Sequence, residues 1–186
     1  MLGQVVRQGT ALAVPLGVQR RAALAAEGMA IPKRRKRVAG TYFVTSRTWQ
    51  GRKLFVTEPT CRLFVEKMMH YREEGACRLH AFVLMPDHFH ILLTPAADKA
   101  LERIMQYIKG GSARQIRKEL SYRFPVWQRG FSDHRIRDSE DFQSHVRYLE
   151  QNPVKKGLVG TANEYRWSSA CGQYEIDSIP QGLKPL

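Results

Sequence analysis

A chain of 186 residues carries 30 lysines and arginines against 17 acids, a net charge of +13, with an ordinary 43% hydrophobic content. That size predicts one domain with a normal core, and the charge surplus favours a polyanionic partner, nucleic acid before an acidic membrane surface. No apolar run approaches the ~20 residues that span a bilayer, and three scattered cysteines (Cys61, Cys77, Cys171) without a Cys-x-x-Cys pair exclude a zinc ribbon or redox dithiol and fit a reducing cytoplasm.

Residues 1–39 read as a basic, disordered N-terminal tail. Residues 1–40 hold eight basic residues and one acid, ending in the run Lys33-Arg34-Arg35-Lys36-Arg37, which is either a solvated linker or a non-specific phosphate clamp. Met29, just before this run, is a second candidate start. Tyr42-Phe43-Val44-Thr45-Ser46 is β-branched and aromatic, a first strand. Glu58 to Glu74 follows as an amphipathic helix with Leu63, Phe64, Met68 and Tyr71 at helical spacing, ended by Gly75. Arg78 to Met85 and His88 to Thr94 are strands joined tightly at Pro86-Asp87. A helix from about Lys99 to Leu120 carries Leu101, Ile104, Met105 and Ile108 on one side, and Gly110-Gly111 is expected to bend or interrupt it. Trp127 to Arg137 reads as loop and fourth strand. A last helix starts at a cap on Asp138 or Ser139, turns Phe142, Val146 and Leu149 inward, and is expected to stop at Asn152-Pro153. Strand, helix, strand, strand, helix, strand predicts an α+β fold, a ferredoxin-like antiparallel sheet with helices on one face, over residues 40–172, followed by an irregular C-terminal tail over 173–186.

Two features in this frame bear chemistry. In a strand, residues i and i+2 share a face, so His88 and His90 project together while Phe89 enters the other side. Paired imidazoles make half of a divalent-metal site, or simply face solvent or a polar network. On the last helix Tyr148 and Asn152 share a face one turn apart. A tyrosine beside a metal and a basic groove is a candidate nucleophile toward a phosphodiester, and otherwise an aromatic packed at the helix surface. Asn152 offers a neutral oxygen suited to a hard cation as third ligand. Tyr42, Tyr71 and Tyr107 read as core.

Taken with Tyr42-Phe43-Val44-Thr45, the motif Met85-Pro86-Asp87-His88-Phe89-His90, the run from His145 through Tyr148 and Asn152-Pro153 to Gly157, and Tyr165-Arg166-Trp167-Ser168-Ser169, the sequence resembles the REP-associated tyrosine transposases, relatives of the single-tyrosine HUH transposases. The resemblance covers about Thr41 to Ala170. It implies that His88 and His90 hold Mg²⁺ or Mn²⁺ with Asn152 as third ligand, and that Tyr148 is the nucleophile. It further implies a metal-dependent enzyme, expected to act as monomer or homodimer. Such an enzyme cuts and rejoins single-stranded DNA beside a REP-like hairpin through a 5′-phosphotyrosine. The long basic leader departs from the family pattern, and residues 110–125 match it only loosely.

Arg129, Arg135, Arg137 and Lys155 are candidate DNA contacts, with plain solvation as the alternative for the arginines. Trp127 and Trp167 read as core or loop anchors. A non-catalytic module binding single-stranded or hairpin nucleic acid would carry the same charge surplus. A phosphodiesterase using histidines as acid and base would want a second His pair, and His80, His134 and His145 stand as singletons in the sequence.

Overall fold

The computed structural model describes residues 40–183; the basic tail expected over 1–39 and the last three residues lie outside them. Four strands, β1 (Tyr42–Arg47), β2 (Cys77–Met85), β3 (His88–Pro95) and β4 (Ser132–Arg135), form one sheet in the order β2-β3-β1-β4, antiparallel throughout. Helices α1 (Glu58–Glu73) and α2 (Leu101–Leu120) make the two crossovers, and α3 (Ser139–Lys155) follows β4. Strand order and connectivity are those of a ferredoxin-like α+β fold. Among the described residues no helix is long and apolar enough to cross a membrane.

Period-2 alternation sorts the strand residues into two cores. Val44, Phe89, Ile91, Leu93, Phe82 and Leu84 are buried beneath Leu63, Phe64 and Met68 of α1 and Ile104, Met105 and Ile108 of α2. Phe43, Leu92, Ala81, Val83 and Met85 point the other way, against Phe142 and Leu149 of α3. The expectation of helices on one face therefore holds for α1 and α2 and is corrected for α3. Both faces of the central strands are apolar, and a bare second face would leave five apolar side chains in water. One irregularity keeps the two cores in phase. The β2–β3 register slips between Leu79 and Ala81, making His80 the extra residue of a bulge, so Leu79 and Phe82 reach the same core. His80 is fully engaged there, its ring nitrogens 2.7 Å from the Ser178 carbonyl and 2.8 Å from the Thr94 hydroxyl.

Two helix details differ from expectation. Helix α2 runs through Gly110-Gly111 without a break; at Gly111 a Cβ would lie 3.0 Å from Lys67 and 3.1 Å from the Tyr71 hydroxyl, so this glycine lets α2 approach α1 closely. Helix α3 continues past Pro153 to Lys155, its last turn closed by Lys156 N–H donating to Asn152 and Leu158 N–H to Pro153. The proline falls where the ladder is already ending, so it removes one bond rather than the turn. The start of α3 is as read: Asp138 caps it, accepting from the Asp141 N–H at 2.8 Å.

Residues after α3 are less irregular than expected. Ser168 bridges to Val83, the Leu84 N–H donates to the Trp167 carbonyl, and the Ser169 hydroxyl takes the Phe82 N–H, so this segment extends the sheet edge beside β2. The three cysteines are free thiols; burial pushes Cys61 up to about 11 and Cys77 to about 12, which leaves those two inert.

Candidate active site

The β1–β3 register sets the site. Arg47 pairs with His88, Thr45 with His90 and Phe43 with Leu92, so alternate residues of both strands face α3 together. His88 and His90 lie with ring centroids 4.9 Å apart. Each has its Nδ1 occupied: His88 bonds the Asp87 carboxylate at 2.6 Å, and His90 bonds the Thr45 hydroxyl at 2.7 Å. That leaves the Nε2 lone pairs of both rings for a ligand, the arrangement by which outer oxygens orient metal-binding imidazoles.

His90 Nε2 is the informative atom. It is buried and has no hydrogen-bond partner, although buried polar atoms are rarely left unpaired. Burial, with the charges of His88, Arg47 and His145, drives His90 well below the ordinary histidine value. Burial also lowers His88, the Asp87 carboxylate opposing it. Two neutral imidazoles with free Nε2 lone pairs fit a divalent cation.

Helix α3 brings Tyr148 to the same place. Its ring meets His90 edge-on at 5.4 Å and Phe43 at 6.0 Å between centroids. Burial raises the phenol above its ordinary value, while the Asn152 side chain, hydrogen-bonded to it, pulls the other way. Asn152 is itself 7% exposed. The Lys155 ammonium sits 5.7 Å from the Tyr148 ring centroid. His88, His90, Tyr148, Asn152 and Lys155 thus gather from one chain.

The candidate arginines divide. Arg129 lies just past Gln128, whose N–H donates to the Arg47 carbonyl, so it belongs to the His88 end of the sheet. Arg135 pairs with Tyr42, at the other end of β1, and Arg137 bonds the Asp141 carboxylate at 3.4 Å; neither joins the Tyr148 group. Trp127 and Tyr42 are core residues, and Tyr71 and Tyr107 stack on one another at its edge.

Sequence reasoning missed several participants. Phe43, Thr45 and Arg47 follow from strand alternation once β1 is known to pair with β3. Arg47 and Lys156 are near enough for their charges to lower His88. The supposed singletons His134 and His145 meet around Asp141. His134 Nε2 is 2.8 Å from Asp141 Oδ2, and His145 Nδ1 is 3.1 Å from Oδ1 and 2.7 Å from the Asp141 carbonyl. Burial pushes the Asp141 carboxyl up, but the hydrogen bond and charge of His134 and the Arg137 N–H outweigh it and hold it low. One ligand atom from each of the three lies within 4.8 Å of the others, close enough to share a cation. His145 then meets Phe43 at a tilt, 4.6 Å between centroids, and Phe43 stacks on His90 at 5.2 Å, so a column of rings joins this cluster to the His pair. The 141/145 spacing, one helical turn, was the available signal.

The buried histidines set the acid limit of the fold. Burial lowers His80, His90 and His145 below their ordinary 6.5, so below that pH the unfolded chain takes up protons that the folded one refuses. Stability rises with pH wherever the unfolded state binds more protons. The urea midpoint is therefore expected to be flat above about pH 7.5 and to fall as pH drops through 6.5; a midpoint constant down to about pH 5 would contradict the burial of these rings.

The profile of the family described as Transposase IS200 like matches residues 29–152. The chain is 26% identical over 147 residues to the REP-associated tyrosine transposase of Escherichia coli, covering 74% of this chain and 84% of that one. It is 32% identical over 111 residues to a Haemophilus influenzae protein provisionally assigned to the same class, covering 54% of this chain and 63% of that protein's length. A solved REP-associated tyrosine transposase bound to a REP hairpin superposes with a TM-score of 0.62 at 26% identity, over 82% of this chain and 93% of that one.

Proposed function

The chain belongs to the IS200-like transposase family, and from that premise we propose that it cuts and rejoins single-stranded DNA at a hairpin, with Tyr148 as nucleophile. The observation that carries this reading is the edge of Tyr148 against His90, whose Nε2 is buried without a partner. The REP hairpin in the related solved structure is the model for its substrate.

His88 Nε2, His90 Nε2 and Asn152 would hold Mg²⁺ or Mn²⁺. When bound, the ion polarises the scissile phosphate and offsets the charge that develops on it. Tyr148 Oη attacks phosphorus, its proton passing to water; the P–O3′ bond breaks, and the departing 3′-oxygen takes up a proton. The products are a 5′-phosphotyrosine and a free 3′-hydroxyl. A 3′-hydroxyl attacking the same phosphorus reverses the step, so strands are exchanged without an external energy source. Lys155, above the ring, and Arg47, across from His88, favour both the phenolate and the phosphate. Asn152 holds the hydroxyl in place in the free protein. One chain supplies every group, so cleavage proceeds within a chain whether it acts as monomer or homodimer.

Incubating the full chain with single-stranded hairpin DNA in Mn²⁺ is expected to give a protein–DNA band that survives denaturing electrophoresis, lost on adding chelator. Binding in a gel shift without any such band would instead favour the non-catalytic module.

A further inference from the structure

Phe124 is 54% exposed, yet it lies between Tyr122 and Trp127, which both pack on the core. The Arg52 guanidinium covers its ring at 4.4 Å from the centroid, and the Tyr122 ring meets it edge-on at 5.9 Å. Gln50 Oε1 accepts from Arg52 at 3.3 Å, and Gln50 itself is held in the left-handed region at φ 57°. Backbone strain of this kind costs about 1–3 kcal/mol and persists where surrounding structure enforces it. We infer that this Arg52–Phe124 stack is a nucleobase-binding subsite for the single strand leading away from the scissile phosphate, an inference that rests on the nucleic-acid reading above.

The path to the candidate active site is short and continuous. Arg47 pairs with His88. Next along the chain, the Thr48 N–H donates to the Asp87 carbonyl, in the turn whose carboxylate holds His88. Thr48 bridges to Trp127, and the Trp49 N–H donates to the Val126 carbonyl, two residues from Phe124. The Thr48 hydroxyl also donates to the Arg52 carbonyl at 2.6 Å. Thr48 therefore ties the His88 turn, through its N–H, to the loop bearing Arg52, through its hydroxyl.

Charge selects the occupant. Residues 46–57 and 121–132, the two segments that build this rim, contain Arg47, Arg52, Lys53, Arg123 and Arg129 and no acid. A half-exposed aromatic ring between two acid-free, basic segments suits a stacked base with its phosphates on either side, as single-strand-binding surfaces are built. An apolar protein partner would gain nothing from five positive charges. A duplex keeps its bases stacked on one another and cannot use the ring.

Fluorescence anisotropy of the full chain with a short oligodeoxythymidylate, in chelator so that no strand is cut, tests this. Phe124→Ala is expected to weaken single-strand binding by about fivefold to a hundredfold, the worth of one stacked base. Phe124→Trp should restore it, Phe124→Leu should not, and affinity for a blunt duplex of equal length should be unchanged. Arg52→Gln should lower the salt dependence of binding by about one phosphate contact. The exposure of Phe124 makes these variants safe for folding. Wild-type affinity in Phe124→Ala, equal losses on single strand and duplex, or rescue by Leu as good as by Trp would overturn the subsite. Since binding is read without cleavage, a wild-type chain that forms no covalent adduct sinks the transferase reading separately.

Discussion

Tyr148→Phe is expected to bind hairpin DNA within about twofold of wild type while forming no covalent adduct, its cleavage rate lower by about 10⁴-fold or more, as when other enzymes lose their nucleophile. The substitution removes one oxygen and little else. The ring keeps its edge contacts with His90 and Phe43, and the lost bond to Asn152 is a single partly buried hydrogen bond, worth about 1 kcal/mol. Fold and affinity should therefore survive, and only the atom proposed to attack phosphorus is gone. Denaturing electrophoresis of labelled DNA reads the adduct, and anisotropy in chelator reads affinity. An adduct persisting in the Phe variant would remove Tyr148 from its role. Adduct and binding lost together would mean that the hydroxyl serves the site's structure instead.

How much of this was readable beforehand divides along a physical line. Local patterns spoke clearly. The His-x-His pair lies on a strand with Phe89 on the other side, because alternation depends on two residues alone. The one-turn relation of Tyr148 to Asn152 is likewise intrinsic to a helix. What alternation could not reveal was which face α3 would cover. That choice followed from Phe43, Ala81, Val83, Met85 and Leu92 summed over three strands, and from a bulge at His80 that no local pattern announced. Long-range pairing hid the rest. Thr45 and Arg47 became neighbours of the His pair only through the β1–β3 register. His134 reached His145 only because β4 delivers it to the first turns of α3. Pro153 misled for a different reason: a proline's cost depends on how much helix remains beyond it, which sequence leaves open.

The ring column beside the site follows the same logic. His134, His145, Phe43 and His90 come from β4, α3, β1 and β3, and their contacts run unbroken from the Asp141 carboxylate to the candidate metal pair. A helix bearing the proposed nucleophile would have to be held to within a fraction of an ångström relative to the strand proposed to hold the cation. The Asp141 cluster binds the start of α3 to β4, and Phe43 fills the space between helix and sheet.

His88→Ala and His90→Ala are expected to abolish cleavage in Mg²⁺ and Mn²⁺, by about 10³-fold or more, and to weaken Mn²⁺ binding to the free protein, read by electron paramagnetic resonance independently of activity. The two should differ in what else they disturb. His88 is partly exposed and, among the described residues, its side chain hydrogen-bonds Asp87, so its loss should cost less stability than that of His90. His90 is 3% exposed and stacked on Phe43, so alanine opens a cavity and should cost stability as well, by about 1–3 kcal/mol. Thr45→Val separates orientation from ligation. It keeps the shape beside His90 but removes the oxygen 2.7 Å from Nδ1, and loss of such an outer partner lowers metal affinity by about 10- to 100-fold. The expected order of Mn²⁺ affinity is wild type, then Thr45→Val, then the two alanine variants. Cleavage by either alanine variant at the wild-type rate, or wild-type cleavage indifferent to chelator, would take the cation away from these histidines, and the unpartnered Nε2 of His90 would then need another explanation.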